Sequence, residues 1–314
     1  MVNQRIAQGV HDEGTINAIV VFAQQESFEA HQEEAKKHIE GLDQLVRAAG
    51  GIHSPEFSEK TRRHLLFVDL AASMALNSKP LFPSVLDLTD LVPYFGKASP
   101  GTLFHMNSFA TRLYNFTGSP LRDQAASVLW GLRSLSELVD AFKEHRDIPE
   151  TASASDIQFS DRVEVLERLV HRLWYIENSA TPQHVLFQTF GWTCLIHIYS
   201  KFRELPLELG MNNMLARKVK VALETCGELN VLLATFPDLF LWEMFICGRA
   251  ASDRDKPFLA QQATKILMVR KLEDAKDIIA ASNKFLWPER GTEAPFVTAE
   301  PAHVSREVIE IADS

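Results

Sequence analysis

The chain has 314 residues and a mass of 35.4 kDa, enough for one large domain or two ordinary ones. Its residues are 46% hydrophobic and 23% charged, a composition that excludes a mainly disordered, collagen-like or low-complexity protein. The net charge of −9 has the wrong sign for a protein whose main task is to hold phosphate backbones.

The first half of the chain shows helical periodicity with one interruption. Apolar residues recur on one face between Thr15 and Phe28, again through HQEEAKKHIEGLDQLVRAAGG, and again from Phe57 to Leu76. Gly50 and Gly51 can take the left-handed conformation that closes the second of these helices. Four prolines in residues 77–101 predict a long ordered loop or a pair of short turns. Helical patterning resumes with LRDQAASVLWGLRSLSELVDAFKEH.

The second half begins with IPETASASD, which is typical of a flexible connector. Further helices are predicted around Val163 to Leu173, from about Gln183 to Glu204, from Asn212 to Ala234, and from Pro237, a residue suited to a first helical turn. Two more fit PFLAQQATKILMV and LEDAKDIIAASNKFLW. No alternating run predicts a strand. We therefore expect an all-α array of roughly ten helices without a sheet, in residues 1–288, followed by a flexible tail, 289–314.

The most apolar helix faces predict a shared core. Its expected members are Leu66, Leu70, Leu173, Phe190, Leu195, Leu241, Trp242 and Phe245.

The three cysteines, Cys194, Cys226 and Cys247, are too few for a disulfide framework and favour a reducing compartment. The N-terminal sequence MVNQRIAQGVHDEGT lacks the pattern of a secretory signal, and no run of about 18 apolar residues occurs. We expect an intracellular protein that does not enter a membrane.

Three segments resemble a known family. HIEGLDQLVRAAGGI and LLFVDLAASMALNSKPLF are similar to the N-terminal half of the fungal-specific transcription factor domain, the regulatory domain of fungal zinc-cluster transcription factors. PDLFLWEMFICGRAASDRDKPFLAQQ is similar to that family's late helix, and Leu286 to Pro288 fit the way its members end. The matching positions are His38, Gly41, Leu42, Gly50, Gly51, Asp69, Ala72, Pro80, Phe82, Leu241, Trp242, Phe245, Gly248, Ala250, Pro257 and Phe258.

The resemblance covers about 250 residues and implies a nuclear protein that controls an attached DNA reader or activation segment. Two departures accompany it. The six-cysteine zinc cluster that family members carry is absent from this sequence, and the helices that usually precede the first match are missing. We therefore expect a regulatory domain that lacks its N-terminal part, either a C-terminal piece of a regulator or a stand-alone relative.

Two groups of residues have the spacing of metal ligands. Cys194 and His197 lie three apart on one helix face, with Cys226 or Cys247 as remote partners, and His31, Glu34 and His38 share another face. The favoured interpretation is structural: Cys194 and His197 fill the core, and His38 packs or hydrogen-bonds locally. We predict no metal site and no cofactor.

Two carboxylates stand inside apolar runs. Asp69 and Glu243 should each be paired, because an unpaired buried charge is costly. For Asp69 the partner should come from another helix or from helix N-terminal amides, while Arg249 cannot be assumed to reach Glu243. A catalytic dyad of the two is the less favoured alternative.

No signature of a known enzyme class occurs, including G-x-S-x-G, H-E-x-x-H, G-x-G-x-x-G and a Walker loop. The basic spots are short and indicate solvated helix faces rather than a nucleic-acid patch; they are Arg62 with Arg63, Arg217 with Lys218 and Lys220, and Arg270 with Lys271.

Three functions remain open. The first is a regulatory, effector-sensing domain of a zinc-cluster-type regulator that is not an enzyme. Its partners would be co-regulators or further copies of itself, together with a small-molecule effector, and it would not bind DNA sequence-specifically on its own. The second is a stand-alone helical interaction or scaffold protein without DNA binding. The third is an all-α enzyme of unrecognised type.

Overall fold

The computed structural model describes residues 13–84, 86–144, 152–174, 181–271 and 285. Of these residues 78% are helical, in twelve α-helices and one π-helix, and they contain no strand. The all-α prediction is therefore confirmed. The chain divides into two compact units, residues 1–87 with 209–211 and residues 88–208 with 212–314.

The first unit is built on three mutually packed helices, α1 (Glu13–Phe28), α2 (Gln32–Ala48) and α3 (Glu59–Leu76). Ser58 starts α3 by accepting a hydrogen bond from the Thr61 backbone N–H at 3.2 Å, and Asn77 ends it in the left-handed conformation. Gly50 and Gly51 follow α2 with φ of 95° and 96°, as predicted. The core of this unit joins one stripe from each helix; it includes Ile16, Val20, Leu42, Val46, Leu65 and Leu66.

The second unit holds the other helices. They are α4 (Val92–Phe95), α5 (Pro100–Phe116), α6 (Leu121–Glu144), α7 (Ala152–Trp174), α8 (Pro182–His197), α9 (Gly210–Thr225, from residue 212 on), α10 (Leu229–Thr235), α11 (Pro237–Ala250) and α12 (Lys256–Arg270). A π-helix, Ile198–Phe202, continues α8. Helix α8 packs on both α7 and α11, so it lies at the centre of the unit.

An aromatic cluster forms the core around α8 and α11. The Trp242 ring lies 6.4 Å from Phe190 and 5.2 Å from Phe285, centroid to centroid, and Phe109 contacts both phenylalanines. Such pairs add to the stabilisation that burial of their large apolar surfaces provides.

Helix α5 was not predicted. Ser99 caps it by accepting from the Thr102 N–H at 3.1 Å, and Pro100 occupies its first turn, where a missing N–H costs nothing. The same proline had suggested a loop. No clear apolar stripe marks this helix in the sequence because few of its side chains are buried: Thr102, Phe109 and Leu113.

Two other boundaries differ from prediction. Helix α7 begins at Ala152, so the second half of the expected connector is helical. The single helix expected over 212–234 is divided into α9 and α10 at residues 226–228, which include Gly227. The expected helix LEDAKDIIAASNKFLW, apart from Phe285, and the expected tail lie outside the described residues.

Seven of the eight predicted core residues are buried, and Phe245 is only half-buried. Leu66 and Leu70 belong to the first unit and the other six to the second. Within the described ranges no single helix has the length and apolar character needed to cross a membrane; α10 and α11 reach them only as a pair bent by 107°.

Candidate functional site

Polar side chains line the contact between α8 and α11 in the middle of the second unit. Thr189, Thr193 and His197 recur every four residues along α8, and Glu243 and Cys247 are four apart on α11. This spacing places each set on one face of its helix. All five side chains are buried. We call these five residues the polar seam.

Two contacts fix the register of the seam. The Thr189 hydroxyl donates to Glu243 Oε1 at 3.4 Å, and Thr193 Oγ1 lies 3.3 Å from Cys247 Sγ. Both partners advance by four residues in the same direction, so the two helices run parallel where they touch. The paired positions therefore form a continuous polar strip inside an apolar core.

Glu243 is an acid in an apolar environment. Its residue exposure is 0%, and burial raises the pKa of its carboxyl well above the usual range, opposed by the smaller effect of the Thr189 hydrogen bond. The described residues provide no cation that pairs with it. The expected partner of Glu243 is therefore the neutral hydroxyl of Thr189 rather than a cation, in a core that disfavours the charged form of the carboxyl.

His197 is the basic residue of the same polar strip. Burial, with smaller effects from Lys201 and Arg249, lowers the pKa of its imidazole from 6.5 to about 3, so the ring is neutral at physiological pH. Its ring contacts Trp242 edge to face at 5.9 Å and Phe202 at 5.5 Å, centroid to centroid. The imidazole thus presents its nitrogens within aromatic surroundings.

Four buried polar atoms at this place have no hydrogen-bond partner in the described part of the chain. They are His197 Nδ1, His197 Nε2, Trp242 Nε1 and Glu243 Oε2. Leaving a buried polar group unsatisfied costs about 1–3 kcal/mol, so four such atoms would cost a large share of a typical domain's stability. A buried water or a bound molecule that reached any of these atoms could supply the missing partner.

The π-helix adjoins the seam and is held by buried ion pairs. Arg203, directly after it, donates to both carboxylate oxygens of Glu167 on α7, from Nε at 3.0 Å and Nη2 at 2.8 Å. Lys201 lies 3.3 Å from Asp140 on α6. Burial alone would lower the pKa of Arg203, but Glu167 outweighs it and raises the pKa. Short π-helices are rare and appear frequently at functional sites.

Cys194 and His197 are both fully buried, which agrees with their interpretation as core residues. Burial, with a smaller contribution from Glu243, raises the pKa of the Cys194 thiol well above its ordinary value. No three His, Cys, Asp or Glu side chains within the described ranges are arranged to hold a metal ion. Cys226 is buried at the end of α9 and Cys247 contacts Thr193.

His31, which precedes α2, and His38, which lies within it, make local contacts. His31 Nδ1 lies 2.7 Å from Glu26 Oε2 at the surface, and His38 stacks on Phe22 with the ring centroids 5.9 Å apart. The expectation that His38 packs locally is confirmed. Glu34 lies exposed in the first turn of α2.

Asp69 has a structural role in the first unit. Its two carboxylate oxygens accept from the backbone N–H groups of Leu81, at 2.8 Å, and Phe82, at 2.7 Å. The sequence predicted a partner from another helix or from the amides of a helix N-terminus. The partners are backbone amides, but these amides belong to the loop after α3 and not to the start of a helix. Asp69 belongs to the first unit and Glu243 to the second. The Leu81 and Phe82 amides that bond to Asp69 lie in the first unit, and the Thr189 hydroxyl that bonds to Glu243 lies in the second.

The basic spots are only partly solvated. Arg62 donates to the carbonyls of Ile52 and Phe57, and Lys220 pairs with Glu224 and Asp255. Lys218 is half-buried with its Nζ 5.7 Å from the Trp174 ring centroid and 5.9 Å from that of Trp192. Burial lowers the pKa of Lys218 to about 8. Arg217, Arg270 and Lys271 are exposed, as predicted.

Sequence reasoning selected Glu243 and His197 separately and missed the threonines that align them. The available signal was the spacing of Thr189, Thr193 and His197, which repeats every four residues within an otherwise apolar helix. The parallel pairing with α11 has no signal in a single sequence, because it depends on which helices pack together.

The chain matches no family model, and it finds no significant match among curated proteins or solved structures.

Proposed function

We propose that this chain is the regulatory, effector-sensing helical domain of a fungal zinc-cluster-type transcription regulator, acting in the nucleus through protein contacts. The observation that carries the proposal is the polar seam, whose unsatisfied buried atoms include both ring nitrogens of His197, the residue directly before the π-helix. A molecule that bonds to those atoms would favour the packing that accommodates it and so shift the domain between states.

The arrangement of the resembling residues in the first unit supports the family assignment. Asp69 and the Pro80-Leu81-Phe82 segment, which correspond to separate motif positions, meet in one structural feature, because the Asp69 carboxylate accepts from the Leu81 and Phe82 amides. A motif whose members contact each other has a physical reason to occur together.

The proposal includes no catalysis. Burial raises the pKa of both Cys194 and Cys247, so neither thiol is a nucleophilic thiolate near neutral pH. Glu243 and His197 are held in their neutral forms by the same cause. These properties suit binding by hydrogen bonds better than acid–base chemistry.

Protein contacts are the output of the proposed domain. Helix α5 exposes large apolar side chains: Leu103 at 47%, Phe104 at 70% and Tyr114 at 67%. Leu103 and Tyr114 are eleven residues apart and so lie on the same side of the helix, about 16 Å apart along its axis, where exposed apolar side chains are available for protein contacts. Co-regulators and self-association both fit this face.

The same surface favours a second candidate, a stand-alone helical interaction or scaffold protein. The two functions differ in whether a small molecule controls the contacts. A ligand that stabilises the chain and changes its association with other proteins supports the regulatory function. If no stabilising ligand changes that association, the scaffold function is supported.

The test is a thermal-shift screen of the purified chain against a metabolite collection, followed by a turnover assay of each hit. The proposal expects a compound that raises the melting temperature of the wild type, does so less in Glu243→Leu, and is recovered unchanged. A stabilising compound that is converted to product would overturn the proposal in favour of the enzyme alternative.

A further inference from the structure

One side of helix α5 has a pattern that fits a second copy of this chain, an inference that rests on the protein contacts of the proposed function. The inner side of the helix is buried through Thr102, Phe109 and Leu113. The opposite side is exposed along its whole length, and we call it the outer face of α5. Its members are Leu103, Phe104, Asn107, Ser108, Thr111, Tyr114 and Asn115.

The outer face carries no charged side chain. Residues 100–116 contain one Asp, Glu, Lys or Arg, which is Arg112. Arg112 is half-buried at the edge of this face, where its Nη2 donates to Asp238 Oδ2 on α11 at 2.8 Å. Because each chain has a net charge of −9, two copies that meet through charged surfaces bring like charges together. The outer face of α5 lets two copies approach without that cost.

The pattern of the outer face is the same from either end. Phe104, 70% exposed, is followed three positions further in by the polar, uncharged Asn107. Tyr114, 67% exposed, is preceded three positions further in by the polar, uncharged Thr111. Both pairs are centred on residue 109, and the short side chain of Ser108 lies exposed beside this centre.

A pattern with this symmetry matches itself when two copies of the helix run antiparallel. A two-fold axis beside residue 109 places Phe104 of one copy opposite Tyr114 of the other, and Asn107 opposite Thr111. The two Ser108 side chains then lie close to the axis, where their small size lets the helices approach closely. The aromatic rings at each end can pack against one another. An interface of this kind uses the same surface on both partners, so a second copy supplies all of it.

We propose that two copies of this chain associate through the outer faces of α5, packed antiparallel about a two-fold axis near Ser108. The helix has 17 residues and therefore spans about 25 Å. One helix pair of that length covers less than the roughly 800 Å² per partner of a standard interface, so we expect a weak dimer with a dissociation constant of about 1–100 μM.

The first test is sedimentation velocity of the full chain over a range of about 1 to 500 μM, which brackets the expected dissociation constant. Phe104→Glu places an unpaired charge against the partner's ring, so it should weaken association at least tenfold. Met268→Glu adds the same charge at a side chain of α12 that is 73% exposed, and it should associate as wild type does. A wild type that stays monomeric at every concentration, or a dimer that Phe104→Glu leaves intact, would overturn the proposal.

The second test is disulfide cross-linking, which reports the symmetry of the dimer. The natural cysteines are buried, so an added exposed cysteine is the one available to an oxidant. Ser108→Cys should form a covalent dimer under mild oxidation, because the two positions lie near the axis. Gln261→Cys, at an exposed position of α12, is the control and should stay monomeric at the same concentration. Equal cross-linking of the two variants would overturn the proposal.

A mixing experiment tests the antiparallel register. Asn107→Cys and Thr111→Cys, oxidised together, should give the mixed dimer in excess over either homodimer, because Asn107 of one copy faces Thr111 of the other. A statistical mixture of the three products would contradict the proposed packing.

The outcomes separate this inference from the proposed function. Dimers through the outer face of α5 in a chain that has no effect on transcription would keep the interface and remove the regulatory function. A transcriptional effect of a chain that stays monomeric at every concentration would keep the regulatory function and remove this interface.

Discussion

The imidazole of His197 and the indole of Trp242 meet edge to face, with the ring centroids 5.9 Å apart, and both rings carry buried nitrogens without partners among the described residues. The contact joins the last residue of α8, next to the π-helix, to the middle of α11. Trp242, the largest fully buried side chain among the described residues, is thus in direct contact with the polar seam. Stability and binding are therefore expected to depend on the same few residues.

Trp242→Ala should destabilise the protein by about 3–5 kcal/mol, because it removes a fully buried ring and leaves a cavity. The measurement is the free energy of unfolding from urea denaturation of both proteins. Phe104→Ala, at a side chain that is 70% exposed, is the control and should change stability by no more than about 0.5 kcal/mol. Equal stability of Trp242→Ala and wild type would contradict the packing described here.

Glu243→Gln should remove a pH dependence of stability. The pKa of Glu243 is raised in the folded state, so its stabilising contribution is fully present below the unfolded pKa of about 4.3 and is lost as pH rises toward the folded value. The free energy of unfolding of Glu243→Gln, minus that of wild type, should therefore increase between pH 4.5 and pH 8. A constant difference over this range would show that Glu243 is ionised in the folded protein.

Comparison of wild type with His197→Phe should reveal a pH dependence of stability of the opposite sign. The pKa of His197 falls to about 3 in the folded state, so its contribution is present above about pH 6.5 and is lost as pH falls toward 3. From pH 6.5 to pH 5, wild type should lose about 2 kcal/mol relative to His197→Phe, since each pKa unit corresponds to about 1.4 kcal/mol. Parallel stability curves of the two proteins would indicate a solvated imidazole.

The chain alone should not bind DNA sequence-specifically. Its net charge of −9 repels the polyanion, and Lys218 and Lys220, two of its basic residues, contact tryptophan rings and carboxylates instead of facing solvent freely. Titration with random and promoter DNA at about 150 mM salt should give dissociation constants no tighter than about 10⁻⁴ to 10⁻⁶ M. Nanomolar binding that discriminates between sequences would contradict this prediction.

Helical periodicity was sufficient to predict the helices of the first unit. Its apolar stripes face one core, and Gly50 and Gly51 close α2 as their backbone freedom suggests. Periodicity failed for α5, which exposes much of its apolar surface, and for the start of α7, where small and polar residues form helix. In both places the helix depends on tertiary packing, which the local pattern of apolar residues does not show.

The candidate site was only half predictable. The cost of burying a charge singled out Glu243 and predicted a partner for it, but not the nature of that partner, which is the neutral Thr189 hydroxyl. Lys218 was interpreted as solvated, although α9 brings it between Trp174 and Trp192. Each error concerns a contact between helices distant in sequence, which single-helix patterns do not contain.

The most direct measurement of the central claim couples the chain to a separate DNA-binding module and records a reporter gene. The chain should change reporter output, and a compound that stabilises it in the thermal-shift screen should alter that change in wild type but less in Glu243→Leu at equal protein level. Thr225→Ala, at an exposed side chain of α9, should behave as wild type. Reporter output that is the same with and without the tethered chain, at confirmed expression, would contradict the account of a regulatory, effector-sensing domain.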